Sequence, residues 1–285
     1  MKWYEVKERS AGEKRLILTY YIYKFFGRIP VVIIAFFVAL ATFLSAKDLR
    51  NCSKKYLAKV NIKPDNFNIF KHFFSYALSL VDKIEIFAGN FDKQNIIISE
   101  NSKRFFDLSK ENKGAVCIFS HVGNIDVSRV LMNNNQKITI ILSLEQAKIF
   151  RNFLKKFSSS KNINFLPVEE IGIETVIELK DNADDGQMVF IAGDRASKGS
   201  KNFDVDVLSA KAEFPVGTYK LAEILELPVF FVSCVKVNKK YIFDATEYIS
   251  NNKSPKDMAA EFADYISKLS NQTPFQFFHF YDFFK

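Results

Sequence analysis

The sequence predicts an α/β protein with a mostly parallel sheet flanked by helices on both faces. Two patterns support this class. From Gly114 onward, short apolar runs alternate with longer stretches at helical spacing, which is typical of proteins built around a parallel sheet. Before Gly114 the pattern is mainly helical and includes an uncharged apolar segment from Ile29 to Leu44. A chain of 285 residues can bury one sizeable core, so we expect one main domain preceded by a hydrophobic helical membrane segment.

The individual elements follow from this alternation. In the first half, helices are predicted at Lys14–Phe26, Phe67–Val81 and Gln94–Leu108. In the second half, apolar runs predict strands at Ala115–Phe119, Ile138–Leu142, Asn164–Val168, Met188–Ala192 and Val229–Val235. The stretches between them predict helices at Ile125–Met132, Glu145–Phe157, Glu169–Lys180, Pro215–Leu225 and Pro255–Leu269. We therefore expect an N-terminal helical, membrane-anchoring segment at residues 1–60 and the main domain at residues 61–285.

The apolar segment near the N-terminus has three interpretations. Extended to Ala46, it would span about 27 Å as a helix, which is close to the thickness of the hydrocarbon core of a bilayer. It could cross a membrane, lie partly in one leaflet, or form a buried core helix. It begins too late for a cleaved signal peptide. Basic and aromatic residues surround the segment, as at a membrane surface. The flanking basic residues are Lys24, Arg28, Lys47, Arg50, Lys54 and Lys55, and the preceding aromatic residues are Tyr20, Tyr21, Tyr23, Phe25 and Phe26.

Composition and motif spacing disfavour several classes of function. The net charge of +8 suits acidic partners, but Lys and Arg are scattered along the chain, so nucleic-acid binding is disfavoured. Cys52, Cys117 and Cys234 lack CxxC spacing, so neither a disulfide framework nor a zinc site is expected, and a reducing compartment fits. The sequence contains no G-x-S-x-G elbow, HExxH, EF-hand or P-loop spacing.

A histidine comes directly after the first apolar run of the second half. Sites in parallel sheets gather beyond the carboxyl ends of the strands, and His121 lies there, with Asp126 farther along. The two are not on one helix face, so they meet only if the chain turns; Gly123 permits a turn, and Asn124 is a good N-cap. His121 could then act as a general base whose tautomer Asp126 fixes. Alternatively, His121 bonds to backbone and Asp126 only opens a helix.

Two further polar blocks are candidate binding sites. In the first, Arg195 could grip a phosphate or carboxylate, or could simply pair with Asp194 at the surface. In the second, Pro215 opens a predicted helix whose amide groups could receive an anion, and Gly217 would allow close approach of a ligand. A purely structural helix start is the alternative there. The lysines that could add positive charge to the first block are Lys198 and Lys201.

Three blocks occur in order along the chain. They are His121-Val122-Gly123-Asn124-Ile125-Asp126, an H-x4-D pattern, then Gly193-Asp194-Arg195, then Phe214-Pro215-Val216-Gly217-Thr218. Together they resemble the lysophospholipid acyltransferase superfamily, in its branch of bacterial lipid A late acyltransferases. The opening Trp3-Tyr4-Glu5 with Glu8-Arg9, and the phenylalanine-rich ending from Thr273 to Phe284, are similar to a sub-branch often found in gene clusters for aryl-polyene-type lipids. The resemblance covers nearly the whole chain.

Three positions depart from related enzymes. Glycerol-phosphate acyltransferases carry glutamate where this chain has Val216 and arginine where it has Tyr219. These differences weaken the case for a glycerol-phosphate acceptor. Lipid A enzymes often carry glutamate where this chain has Asp126.

The resemblance implies a glycerolphosphate-acyltransferase-like fold and transfer of a fatty acyl group to a hydroxyl or amine of a membrane lipid or lipid A-like glycolipid. The donor would be a thioester of acyl carrier protein or coenzyme A, and neither a metal nor a further cofactor is implied. His121 would deprotonate the acceptor, Asp126 would hold the imidazole, and amides near Gly123 or another nearby donor would receive the oxyanion. The residues implied in substrate binding are Asn124, Asp194, Arg195, Pro215, Gly217 and Thr218.

The partners implied by the resemblance are acyl carrier protein and membrane lipids, without nucleic acid. The implied location is the bacterial inner membrane, with the active site facing the cytoplasm, where acyl thioesters are made. Two other functions stay open from the sequence. One is a membrane-associated acyl thioesterase in which His121 and Asp126 activate water. The other is a non-catalytic membrane protein that binds lipid or carrier protein.

Overall fold

The described part of the chain is organised around a twisted sheet whose central strands are parallel. The computed structural model describes residues 13–132, 136–157, 162–196 and 199–285. Its strands are β1 (Ile96–Ile98), β2 (Ala115–Gly123), β3 (Ile138–Leu142), β4 (Ile163–Pro167), β5 (Met188–Ala192), β6 (Asn202–Val207), β7 (Ala210–Pro215), β8 (Val229–Val237) and β9 (Lys240–Tyr248). Among these residues, seven strands form one sheet in the order β1-β9-β8-β2-β5-β3-β4, and β6 pairs with β7 in an antiparallel hairpin.

The five strands β8, β2, β5, β3 and β4 run parallel to one another. At one edge, β9 is antiparallel to β8, and the short β1 is parallel to β9. The predicted mostly parallel sheet is therefore confirmed. Parallel strands need long crossovers, and helices supply most of them here.

The helices within the described residues lie mainly before the sheet and in its crossovers. They are α1 (Glu13–Phe26), α2 (Arg28–Ser45), α3 (Lys47–Lys59), α4 (Asn66–Phe87), α5 (Lys103–Lys110), α6 (Leu144–Phe157), α7 (Ile173–Asp184), α8 (Val216–Leu225) and α9 (Pro255–Gln272). The motif residues Trp3, Tyr4, Glu5, Glu8, Arg9 and Lys198 lie outside the described residues.

Three sequence predictions need correction. Gln94–Leu108 is not one helix, because the apolar run Ile96–Ile98 pairs with β9 as an edge strand and only Lys103–Lys110 is α-helical. The helix predicted over Glu169–Lys180 starts later, after a short 3-10 turn at Val168–Glu170. The segment predicted as a helix over Ile125–Met132 forms a 3-10 helix instead. The strands β1, β6, β7 and β9 were not among the predicted ones.

Side chains of the sheet point alternately into two separate apolar clusters. Val116 of β2 lies in one cluster and the adjacent Cys117 in the other. Helix α9 covers the first face through Phe262, and α5 covers the second through Phe105. All four of these side chains are fully buried. The sheet therefore has helices on both faces, as the sequence predicts, and its strands read as continuous apolar runs for that reason.

Helix α2 is long and apolar enough to cross a membrane by length and composition, with a mean hydropathy of 2.2. Only 11% of it is buried inside the protein, which does not fit the interpretation as a core helix. One side packs against α4, where Phe36 meets Phe70 and Phe74 edge to face. The opposite side leaves large apolar side chains exposed, including Ile33 at 52% and Phe37 at 62%.

The last residues of the chain return to the carboxyl end of the sheet. We call residues 273–285 the C-terminal tail. Phe277 forms a β-bridge with Val122, and the Phe278 amide donates to the His121 carbonyl at 2.9 Å. The Gln276 side chain bonds to both backbone groups of Lys236 in β8, at 2.8 Å each. The tail is thus held along the end of β2, beside the predicted site.

Candidate active site

The carboxyl end of β2 places His121 at the surface of an otherwise buried strand. The residues on either side of it, Ser120 and Val122, are 5% and 1% exposed, whereas the His121 side chain is 28% exposed. The register of β2 against β8 shifts between Phe119 and Gly123. This irregularity lets one side chain near the strand end point out of the core while its neighbours stay inside.

Gly123 makes the turn that the sequence predicts after the histidine. Its φ is +79°, and a Cβ there would lie 2.2 Å from the carbonyl oxygen of Cys234. No other residue type fits, since the turn is left-handed and packed against β8. The amides of Gly123 and Asn124 donate to the carbonyls of Gln276 and Cys234, at 2.8 Å each. These two amides are therefore engaged and do not serve as the expected oxyanion donors in this conformation.

Asp194 is the carboxylate bonded to His121. It lies in the loop that follows β5, the neighbour of β2 in the sheet, and its side chain is fully buried. Its Oδ1 lies 2.9 Å from His121 Nδ1, and its Oδ2 accepts the His121 amide at 2.6 Å. The same Oδ2 lies 2.9 Å from His279 Nε2. A carboxylate with donors of this kind on both oxygens is held in one orientation.

The hydrogen bonds fix the tautomers of both histidines. An ionised carboxylate only accepts, so both ring nitrogens that face Asp194 carry hydrogen. Neutral His121 then has Nδ1–H and presents its lone pair at Nε2. Burial opposes ionisation of Asp194, but the two histidines and their hydrogen bonds outweigh burial and hold its pKa well below the usual value. An imidazole oriented in this way by a buried carboxylate can act as a general base.

His279 is a member of this cluster that the sequence did not predict. Its side chain is fully buried, although the residue is isolated in the sequence and flanked by phenylalanines. Burial lowers its pKa to about 4 despite the neighbouring Asp194, so the imidazole is neutral at pH 7. The phenylalanine-rich C-terminal tail stands out in the sequence, but its packing against β2 depends on contacts between distant segments. A sequence pattern alone does not reveal such contacts.

The donor atoms of His121, Asp194 and His279 all lie within 4.8 Å of one another, which is close enough for one metal ion to bind them. The same spacings of 2.9 Å between nitrogen and oxygen are hydrogen-bond distances, so the three residues also fit a hydrogen-bonded cluster. A metal ion there would replace the shared protons.

Asp126 lies beyond the turn, in the 3-10 helix Ile125–Val130. Its carboxylate forms an ion pair with Lys83 of α4 at 2.8 Å, and both side chains are about one-fifth exposed, at 21% and 20%. Asn124 does not cap this helix with its side chain, contrary to the expectation. Its amide group instead donates to the Ser79 carbonyl of α4 at 2.9 Å. The pairing of His121 with Asp126 stays a prediction.

The second predicted block, beyond β5, supports the loop that carries Asp194. Gly193 is required because a Cβ there would lie 2.6 to 2.8 Å from three buried side chains. Arg195 donates to the Phe278 carbonyl at 3.1 Å, which joins the loop to the C-terminal tail. Its guanidinium also lies 5.8 Å from the centre of the Tyr281 ring. The alternative of a surface loop in which Arg195 simply pairs with Asp194 does not fit, because Asp194 is buried and bonded to the two histidines.

The third block, at the start of α8, packs beneath the same loop. Pro215 precedes the first turn of α8, as predicted. Thr218 is buried and donates to the Ala192 carbonyl at 2.9 Å, and Tyr219 donates to the Gly193 carbonyl at 2.8 Å. A Cβ on Gly217 would meet no described atom within 4 Å, so that position is open. Thr218 thus positions the loop through backbone contacts, and substrate binding by this block stays a prediction.

Comparison with known proteins places the chain in one family. The family model described as bacterial lipid A biosynthesis acyltransferase matches residues 69–285, more than half of the chain. Among curated proteins, none matches the chain. The matched range includes the sheet and the cluster of His121, Asp194 and His279. The chain therefore belongs to the bacterial lipid A biosynthesis acyltransferase family, and it is an acyltransferase.

Proposed function

We propose that the protein transfers a fatty acyl group from a thioester of acyl carrier protein or coenzyme A to a hydroxyl or amine of a lipid A-like membrane lipid. Family membership supports acyl transfer to a lipid acceptor. The observation that carries the mechanism is the 2.9 Å contact between His121 Nδ1 and the buried Asp194. It leaves the lone pair at Nε2 of a partly exposed imidazole, and such a group can accept a proton.

In this mechanism, Nε2 of His121 takes the proton from the acceptor hydroxyl or amine. The acceptor oxygen or nitrogen attacks the thioester carbonyl and forms the new ester or amide bond. The carbon–sulfur bond breaks, and the imidazolium returns its proton to the departing thiolate. Asp194 stabilises the imidazolium in between. A thioester is already activated, so the reaction needs neither a covalent acyl-enzyme nor a metal ion.

We keep Asp126 as a proposed second carboxylate of the site, because it is the aspartate of the H-x4-D pattern. Its ion pair with Lys83 lies directly beyond the turn at Gly123. For the acceptor, Tyr219 is informative. It occupies the position of the arginine in glycerol-phosphate acyltransferases, and its side chain is fully buried against Gly193. This position therefore offers no cation to a phosphate, which favours an acceptor other than glycerol phosphate.

We propose that α2 attaches the enzyme to the bacterial inner membrane, with residues 1–60 as the anchoring part and residues 61–285 as the acyltransferase domain. The exposed apolar side of α2 supports this placement. The net charge of +8 suits an acidic carrier protein and anionic headgroups. The active site would face the cytoplasm, where acyl thioesters are made. The aryl-polyene-type sub-branch is part of the same proposal and rests on the terminal motifs.

The test is to incubate the membrane-bound protein with labelled acyl carrier protein thioesters and a total lipid extract, followed by mass spectrometry. The comparison is between the wild type, His121→Ala and His72→Gln. His72 serves as a control, because it is a buried histidine that bonds to Ser53 and the Phe277 carbonyl rather than to Asp194. We expect a new acylated lipid from the wild type and from His72→Gln, and none from His121→Ala.

Two results would contradict the proposal. Free fatty acid without an acylated lipid, in the presence of a complete lipid extract, would indicate that His121 activates water and that the enzyme is a thioesterase. Identical products from wild type and His121→Ala would show that His121 is not the base. A repeat with acyl coenzyme A as the donor distinguishes the two thioesters.

A further inference from the structure

We propose that His279 is a positioning residue that holds Asp194 in the orientation in which it fixes the tautomer of His121. This inference rests on the proposed function of His121 as the base. It assigns a role to a histidine of the C-terminal tail, about 160 residues from the H-x4-D pattern.

The contacts separate the tasks of the two oxygens of Asp194. Oδ1 accepts from the His121 ring, whereas Oδ2 accepts from the His121 backbone amide and from His279 Nε2. The His121 backbone amide holds Oδ2 of Asp194 in place. With that contact alone, the carboxylate could still rotate about it and move Oδ1 away from Nδ1. A second donor on Oδ2, from a different direction, removes that freedom and keeps Oδ1 at Nδ1.

His279 is itself held rigidly, as a positioning residue must be. Its side chain is fully buried, and its ring packs against Phe277 and Phe283, with centroids 4.5 and 4.4 Å away. The charged or titratable groups close to it among the described residues are Asp194, Arg195, His121 and Tyr281. Because the imidazole is neutral, it contributes a hydrogen bond rather than a charge.

The nitrogen of His279 that faces away from Asp194 distinguishes positioning from proton relay. Its Nδ1 has no hydrogen-bond partner among the described residues, and it is buried. A relay would pass protons through this atom, whereas positioning needs only the hydrogen on Nε2. Amide substitutions separate the two roles. The amide nitrogen of Gln reaches the Nε2 position, and that of Asn reaches only the Nδ1 position.

The test uses the full-length membrane-bound protein and the variants His279→Gln, His279→Asn and His279→Leu. Initial rates of lipid acylation are measured from pH 5.5 to 9 with labelled acyl carrier protein thioester and total lipid extract. We expect His279→Gln to stay within a few-fold of the wild-type rate with the same pH midpoint. The Asn and Leu variants should lose about 10- to 100-fold, the effect of one hydrogen bond to a charged group.

The pH profile separates positioning from a loss of packing. Without the donor on Oδ2, the carboxylate can turn away from Nδ1 and stabilises the His121 imidazolium less. The acidic limb of the rate profile should therefore move to lower pH in His279→Asn but not in His279→Gln. A cavity or a loosened tail alone would lower the rate without moving the midpoint.

A second measurement needs no variant to fold. With ¹⁵N-labelled histidine in the wild-type protein, NMR should show neutral His279 with its hydrogen on Nε2, and His121 with its hydrogen on Nδ1. A hydrogen on Nδ1 of His279 would overturn the inference. So would equal rates in the Gln and Asn variants, or wild-type rate and midpoint in His279→Leu. If His121→Ala is fully active, the proposed function fails instead.

Discussion

Replacing Asp194 with Asn tests which carboxylate works with His121. The substitution keeps the shape of the side chain but removes its charge and turns one acceptor into a donor. In the wild type, the buried carboxylate faces N–H groups at 2.6, 2.9 and 2.9 Å. An Asn amide group must meet at least one of these donors with its own N–H. The conflict either reverses the tautomer of His121 or turns the ring away.

The magnitude follows from those contacts. Hydrogen bonds to charged groups contribute about 1.5 to 3 kcal/mol each, and a buried donor without a partner costs about 1 to 3 kcal/mol. We expect Asp194→Asn to lower the free energy of unfolding by about 2 to 4 kcal/mol. Its acylation rate should fall by about 10⁴-fold, the effect of the same change in a serine protease triad.

The assay combines lipid acylation, measured by mass spectrometry, with urea unfolding of the purified protein. Asp126→Asn is measured alongside, because Asp126 is the other candidate carboxylate; its partly exposed ion pair with Lys83 should be worth at most about 1 kcal/mol of stability. If Asp194→Asn keeps more than a tenth of the wild-type rate while Asp126→Asn is inactive, then Asp126 orients the base. That result would refute the role inferred for Asp194.

Three further predictions concern stability and membrane attachment. Gly123→Ala should lower the free energy of unfolding by more than about 2 kcal/mol in urea titrations, because its Cβ, at φ +79°, would lie 2.2 Å from a carbonyl oxygen. An unchanged unfolding midpoint would contradict the described turn. His72 and His279 are buried, and burial lowers the pKa of each to about 4, so the unfolded chain takes up protons first on acidification. The free energy of unfolding should reach its full value above pH 6.5 and fall between pH 6.5 and 4, by about 3 kcal/mol for each histidine. A flat profile over this range would refute the buried neutral state. Ile33→Lys should release the protein from sedimented membranes, because a lysine near the bilayer centre costs about 3 kcal/mol. Ile224→Lys should not release it, although the two isoleucines have similar exposures of 52% and 55%. Equal behaviour of the two variants would contradict attachment through α2.

Most of the sheet was predictable because its central strands are buried on both faces. A strand of that kind is a continuous apolar run, as in Met188–Ala192, and the run ends where the strand ends. Strands with one exposed face were harder to find. In Lys240–Tyr248, buried and partly exposed residues alternate, and Ile96–Ile98 is an edge strand with exposed isoleucines. Their position depends on pairing with each other at the sheet edge, which local sequence does not encode.

The site was predictable in part for the same reason. His121 and the Asp194 loop were found because both follow buried strands, and the ends of neighbouring parallel strands meet at one edge of a sheet. Spacing along the chain favoured Asp126 as the partner of His121, since five residues and a glycine turn bring them near each other. Sheet order instead places β5 beside β2, so Asp194 reaches the ring from another segment. His279 depends on still longer-range contacts of the tail.

Helix α4 connects the apolar helix, the turn after His121 and the C-terminal tail. At its start, His72 bonds to Ser53 of α3 and to the Phe277 carbonyl of the tail, at 2.9 and 2.7 Å. Near its end, Asp82 and Glu85 form ion pairs with Arg28 at the start of α2.

Between these two points, α4 holds the turn that follows His121. The Ser79 carbonyl accepts from Asn124, and Lys83 pairs with Asp126. One rigid helix of Asn66–Phe87 therefore fixes both sides of the candidate active site relative to α2. If α2 lies in the membrane, the base is held at a constant height above the lipid surface without help from a mobile linker.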